Sequence, residues 1–178
     1  MRTRTESAEV LYADDSIVTV DASDVAAMKR AADGNPRRRV RLCAHRSIDA
    51  ALHEMLIVHS IDTYVRPHKH LGKSESFHVI EGEVDVVIFS EDGAVAELIQ
   101  MGSFQSGRPF FYRIADPLYH TLLIRSPVLV FHEATTGPFK REETVFAPWA
   151  PGDGDHDAVE RFLAGLNQAV AARRSAVP

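Results

Sequence analysis

The chain has 178 residues, 45% of them hydrophobic, and a formal net charge of −5, which fits one folded domain with a short appendage and excludes a disordered chain. A mildly acidic chain is a poor general nucleic-acid binder, and no apolar run approaches the roughly 20 residues of a membrane span, so neither nucleic acid nor a membrane is an expected partner. A single cysteine, Cys43, leaves no internal disulfide framework and no cysteine-rich zinc site; since Met1 to Glu9 also lacks the apolar stretch of a secretory signal, the expected compartment is the cytoplasm.

Along the chain, Ile17 to Val20 reads as a short strand, and Asp21 or Ser23 caps a helix through Val25 to Ala32. Asp33-Gly34-Asn35-Pro36 stops that helix, so residues 1–36 are read as a small N-terminal αβ extension. Arg37, Arg38, Arg39 and Arg41 then alternate into a strand-like stretch, either as a solvated strand face or as a local anion site or subunit contact. From residue 37 to 151 the texture is that of a β domain. Val40 to Ala44, Leu52 to Val65, Glu75 to Ile80, Val84 to Phe89, Val95 to Gln100, Phe110 to Ile114, His120 to Arg125 and Val128 to Ala134 are rich in β-branched and aromatic residues and are separated by turn signals. About eight short strands at regular spacing predict an all-β sandwich or barrel. After the broken loop Ala147-Pro-Trp-Ala-Pro-Gly-Asp-Gly, the segment 152–178 carries a capping box at Asp157 and Glu160. An apolar stripe of Val159, Phe162, Leu163, Leu166 and Val170 follows, predicting a C-terminal helix packed on the barrel or on a partner subunit.

The chemistry concentrates in Tyr64-Val-Arg-Pro-His-Lys-His-Leu-Gly-Lys-Ser-Glu-Ser-Phe-His. His68 and His70 are two apart, so on a strand both imidazoles lie on one face. Glu75 opens the next strand, and His120 opens a later one after the turn at Asp116-Pro117. Three imidazoles and one carboxylate make a nitrogen–oxygen set that suits one divalent ion among Fe, Mn, Ni, Co or Zn without choosing between them. Glu75 either ligates directly or holds an imidazole or water beside the ion. Tyr64 and Arg66 share the parity of His68 and are expected to face the cavity if Pro67 leaves the phase intact, as acid–base and anion-binding candidates. Tyr119 is expected in the core and Trp149 as anchor of a loop closing one barrel mouth. His59 and His132 read as hydrogen-bonded strand histidines, His78 as outward, and His53 and His156 as exposed.

The spacing His68-x-His70, four residues, Glu75, six residues, Gly82 resembles the first motif of the cupin superfamily. Ala115-Asp-Pro-Leu-Tyr-His120 stands where the second motif has proline, any residue, glycine, two residues and histidine, so the histidine is kept and the glycine is not. Asn35-Pro-Arg-Arg-Arg, His45, Thr63 to His70, Lys73-Ser-Glu75, Glu133 with Gly137-Pro-Phe, and Phe146-Ala-Pro-Trp-Ala-Pro narrow the likeness to the WbuC-type cupin-fold metalloproteins. That resemblance implies a double-stranded β-helix (jelly-roll) barrel, a bacterial role beside surface-polysaccharide synthesis, a homodimer, and His45 as a further pocket residue. The leading functional expectation is a metal-dependent enzyme, with isomerase, hydrolase and dioxygenase chemistry all open. Its expected substrate is a small polar metabolite such as a sugar or nucleotide-sugar. The alternative is a non-catalytic sugar-binding or sensor module.

Overall fold

The computed structural model describes residues 1–175; the last three residues of the expected C-terminal segment lie outside the described residues. Its strands are β1 (Thr3–Ser7), β2 (Val10–Ala13), β3 (Arg39–Cys43), β4 (Leu52–Ser60), β5 (His68–His70), β6 (Glu75–Glu81), β7 (Glu83–Phe89), β8 (Val95–Gly102), β9 (Phe111–Ile114), β10 (Tyr119–Ile124), β11 (Val128–Thr136) and β12 (Thr144–Phe146); its α-helices are α1 (Ala22–Asp33) and α2 (His156–Ser175). One sheet runs β1-β2-β3-β4-β11-β6-β9 and the other β12-β5-β10-β7-β8. From β4 onward every connection except β7 to β8 carries the chain from one sheet to the other. That winding, with antiparallel pairing throughout this region, is the double-stranded β-helix of a cupin barrel.

Alternation along each strand builds the interior. Phe77 and Val79 of β6, Val84 and Val86 of β7, and Leu129 and Phe131 of β11 point inward and form the core. The rings of Phe77 and Phe131 stack at 4.3 Å, and Tyr112 extends the stack at 5.3 Å from Phe77. The outward faces are covered too. Met28 and Ala32 of α1 cover Val40, Leu42, Leu56 and Val58, so β4 is apolar on both faces and shows little alternation in sequence. Leu166 and Val170 of α2 cover Val87, Phe89, Tyr119 and Leu123, which settles the apolar stripe of the helix on its own barrel. Asp85, an acid among these outward residues and 1% exposed, is satisfied by Arg125 at 2.6 Å and by Arg174 of α2 at 2.6 Å. This buried pairing ties the helix to β7.

Three expectations change. Ile17 to Val20 forms no strand, and Ile17 is 81% exposed. The extension instead contributes the hairpin β1–β2, whose second strand joins β3 in parallel and lengthens the large sheet. The polar run Thr3 to Ser7 is exposed on every residue, so it carries no burial alternation to reveal it. Leu52 to Val65 ends as a strand at Ser60, where Ser60 and Ile61 hand over to an irregular segment leading into Pro67. Finally, α2 is capped by Asp155, whose side chain accepts from the Ala158 N–H at 3.0 Å, and not by Asp157. The cap of α1 is Asp21, in a reciprocal box with Asp24.

Gly82 makes the abrupt turn from β6 into β7 with φ +91°, and a Cβ there would sit 2.3 Å from the Val128 carbonyl oxygen. Gly82→Ala therefore combines a left-handed backbone with a backbone clash, and is expected to cost about 2–4 kcal/mol of stability. Urea unfolding of the two proteins measures this; equal midpoints would mean that β6 and β7 do not meet through this turn.

Candidate metal centre

Strand β5 is three residues long and lies between β10 and β12, with His68 directly opposite His120. This register places the rings of His68 and His120 4.6 Å apart, with His70 at 4.9 Å from His68. One ring nitrogen from each of the three lies within 4.8 Å of the others. His68 and His120 are oriented by the same device. Their Nδ1 atoms meet the carbonyl oxygens of Arg66 at 2.8 Å and Leu118 at 3.0 Å, each two residues earlier in the chain. A carbonyl can only accept, so both Nδ1 atoms carry the proton and both Nε2 atoms keep a free lone pair. Burial, reinforced by the neighbouring imidazoles, lowers His68 to about 3, so it stays neutral and able to ligate at neutral pH.

The carboxylate of Glu75 stands at the edge of this cluster, 3.3 Å from His70 Nε2 and 3.7 Å from His120 Nε2. Burial opposes its ionisation, but the hydrogen bond to His70 and the adjacent imidazoles hold it below the usual carboxylate range. The hydroxyl of Tyr112 donates to Glu75 Oε1 at 3.2 Å, so Tyr112 fixes the carboxylate from the core side. The arrangement fits a divalent ion. Its donors are three ring nitrogens with a carboxylate beside them, free of sulfur, a set that serves Fe, Mn, Co, Ni or Zn.

The cluster opens onto a cavity of about 690 Å³ between the two sheets. His45 lines it, as expected, and stacks on His53 with ring centroids 4.0 Å apart. His53 and His59 correct the sequence reading. Both share the inward parity of Met55 and Ile57; His53 is 6% exposed and lines the cavity, where an exposed residue was expected. His59 is buried in the cavity wall, edge-on to Phe131, and its Nδ1 has no hydrogen-bond partner. Glu133 is the other addition. It faces the cavity from β11, and burial, with the charge of Glu75 adding to it and Arg41 opposing, keeps its carboxyl protonated well above the ordinary range. The WbuC-type likeness, which includes Glu133, was the available signal for it; β4, apolar on both faces, gave none for the two histidines.

Tyr64 and Arg66 do not line the cavity. The segment before β5 is irregular, so their parity is not carried through Pro67. Tyr64 donates to the Pro151 carbonyl at 3.0 Å, and Arg66 donates to Ala150 at 3.3 Å and lies over the Phe146 ring at 4.8 Å. Arg66 thus serves the centre through its own carbonyl, which holds His68. Trp149 likewise closes no mouth. It packs outside the barrel against Phe89, Tyr119 and Phe162, on a surface left open by Gly93, where a Cβ would lie 2.9 Å from the indole. Tyr119 is buried as expected, and His78 and His132 pair on the outer face of β6 and β11.

Residues 20–101 match a family model described as a domain of unknown function, DUF6016. No curated protein matches the chain. Among solved structures the chain is similar to a protein from Shewanella oneidensis, at 9% identity over 60% of this chain and 72% of that one, with a TM-score of 0.49. It is similar to the cupin domain of Schizosaccharomyces pombe Cnp3, at 9% identity over 56% and 64% with a TM-score of 0.44. A third similarity is to a mutant of oxalate decarboxylase from Bacillus subtilis, at 18% identity over 56% and 25% with a TM-score of 0.44. The matched region is thus under two thirds of the second protein and about a quarter of the third. At these identities the likeness concerns the fold alone, and the strand order given above is what defines that fold here. Among the described residues no helix is long and apolar enough to cross a membrane.

Burial lowers the pKa of His59 from the ordinary 6.5 to about 3. The unfolded chain takes up a proton at this residue below pH 6.5 while the folded chain does not, so the contribution of His59 to stability falls as pH drops from 6.5 towards 3. Between pH 6 and pH 5 the native protein should lose about 1 kcal/mol more than His59→Leu. Urea unfolding of both proteins at the two pH values checks this; equal losses would show that His59 is not buried neutral.

Proposed function

We propose that the protein is a metal-dependent enzyme in which His68, His70, His120 and Glu75 together hold one divalent ion, and a small polar metabolite is transformed in the cavity beside it. The observation that carries this reading is the set of three converging imidazoles, two of them fixed with Nε2 free, in the wall of a cavity of about 690 Å³. An ion in that place supplies Lewis-acid polarisation of a substrate oxygen. The chain's own residues supply the rest. Tyr112 orients Glu75, and Glu133, whose pKa burial raises well above the ordinary carboxylate range, faces the same space and is suited to giving a proton to a substrate atom. His45, whose pKa is lowered mainly by burial, is neutral at pH 7 and suited to accept one. The presence of such a pair is what favours an enzyme over a plain binding module. A sugar or nucleotide-sugar is one small polar metabolite of this kind.

Elemental analysis of protein purified without added metal is expected to find close to one divalent ion per chain, and almost none in His68→Ala and His120→Ala. Full occupancy in His120→Ala would break the ligand assignment. Glu75→Gln separates the two roles of the carboxylate: as a ligand its loss removes most of the metal, whereas as a neighbour of His70 its loss weakens affinity about 10–100-fold.

A further inference from the structure

We propose that Arg41 and Arg39, with His59 across from Arg39, form an anion-binding subsite in the cavity, so that the metabolite is a small organic anion bearing a carboxylate or phosphate group. The proposal rests on reading the cavity as the substrate site. Strand β3 turns Val40 and Leu42 outward to α1, and Arg39, Arg41 and Cys43 towards the cavity. Three guanidinium groups, from Arg37, Arg39 and Arg41, thus line one wall, and the carboxylates that meet them are few. Glu9 takes Arg39 at 2.9 Å and Arg37 at 3.5 Å, and Asp153 takes Arg37 again. Arg41, an exposed residue of β3 that lines the cavity, has no carboxylate within ion-pair distance among the described residues.

His59 supplies a second, independent sign. It lies directly across from Arg39 on β4, is 7% exposed, and leaves Nδ1 buried without a partner in the cavity wall. A buried polar nitrogen is normally bonded, and one left open in a cavity wall is suited to a ligand oxygen. A guanidinium fork with no ion-pair partner, on the same strand face as Arg39, which lies across from a free imidazole nitrogen, is matched by a carboxylate or phosphate group. Two strands, β4 and β11, lie between β3 and the strand carrying Glu75. The anionic group is therefore bound apart from the group that meets the metal centre, and the two contacts together fix the metabolite's orientation.

Isothermal titration with inorganic phosphate and, separately, with acetate tests this on the purified protein, on His68→Ala and on Arg41→Gln. Saturable binding of at least one anion is expected, equal in His68→Ala and weakened at least tenfold in Arg41→Gln, while Arg41→Gln keeps the metal content of the native protein and so reports an intact fold. Phosphate binding without acetate binding assigns a phosphate-bearing metabolite, and the reverse a carboxylate. Absence of saturable binding, or unchanged binding in Arg41→Gln, overturns the subsite. Anion binding lost in His68→Ala but kept in Arg41→Gln overturns it as well, by placing the anion on the metal centre. Intact, Arg41-dependent binding in a protein that takes up no metal sinks the metal reading and leaves the subsite standing.

Discussion

The contact on which the site depends is the pairing of His68 with His120 across β5 and β10. A strand of three residues has little stability by itself, and β5 persists because β10 holds one edge and β12 the other. That double pairing sets the register, and the register decides which side chains share a face. A slip of one residue would turn Lys69 into the barrel and both histidines out of it. The side chain of Lys69 is instead held outside, against Glu91 at 2.6 Å and over the Tyr119 ring at 4.3 Å.

Given the register, the backbone completes the orientation. Arg66 and Leu118 each offer a carbonyl oxygen to the imidazole two residues later. Local geometry thus sets the proton on Nδ1 and the lone pair on Nε2, and requires no further side chain. Burial then keeps His68 uncharged, so that its Nε2 lone pair stays available. The loop that follows β12 is part of the same support, because Ala150 and Pro151 receive Arg66 and Tyr64 from the segment that delivers β5.

The cavity exists because the two sheets differ in extent. Core packing fills the barrel around Phe77, Phe131 and the inward valines. Towards β3 and β2 the larger sheet runs on, and its inner face turns from apolar to cationic between Ile57 and Arg41, which are paired neighbours. The helices take no part in this space. They seal the outward faces, α1 over β3 and β4 and α2 over β7 and β10, and so free the inward faces for polar groups.

The sequence alone determined the barrel class and the four residues that converge at the candidate metal site, because both are local signals: β-branched runs between turns, and His68, His70 and Glu75 at a spacing that strand alternation converts into one face. It also determined α1, whose cap and stop lie within 14 residues of each other, from Asp21 to Gly34. Only the tertiary structure decided the rest. Tyr64 and Arg66 lost their expected place because parity counts only where a strand is continuous, and Pro67 follows an irregular segment. His53 and His59 gained theirs because α1 covers the back of β4, a fact of packing that erases the alternation from which a face could be read. Glu133 and Arg41 stood in plain strand positions, but which face of β11 or β3 meets the cavity depends on partners far away in the chain, and those partners are chosen by the fold.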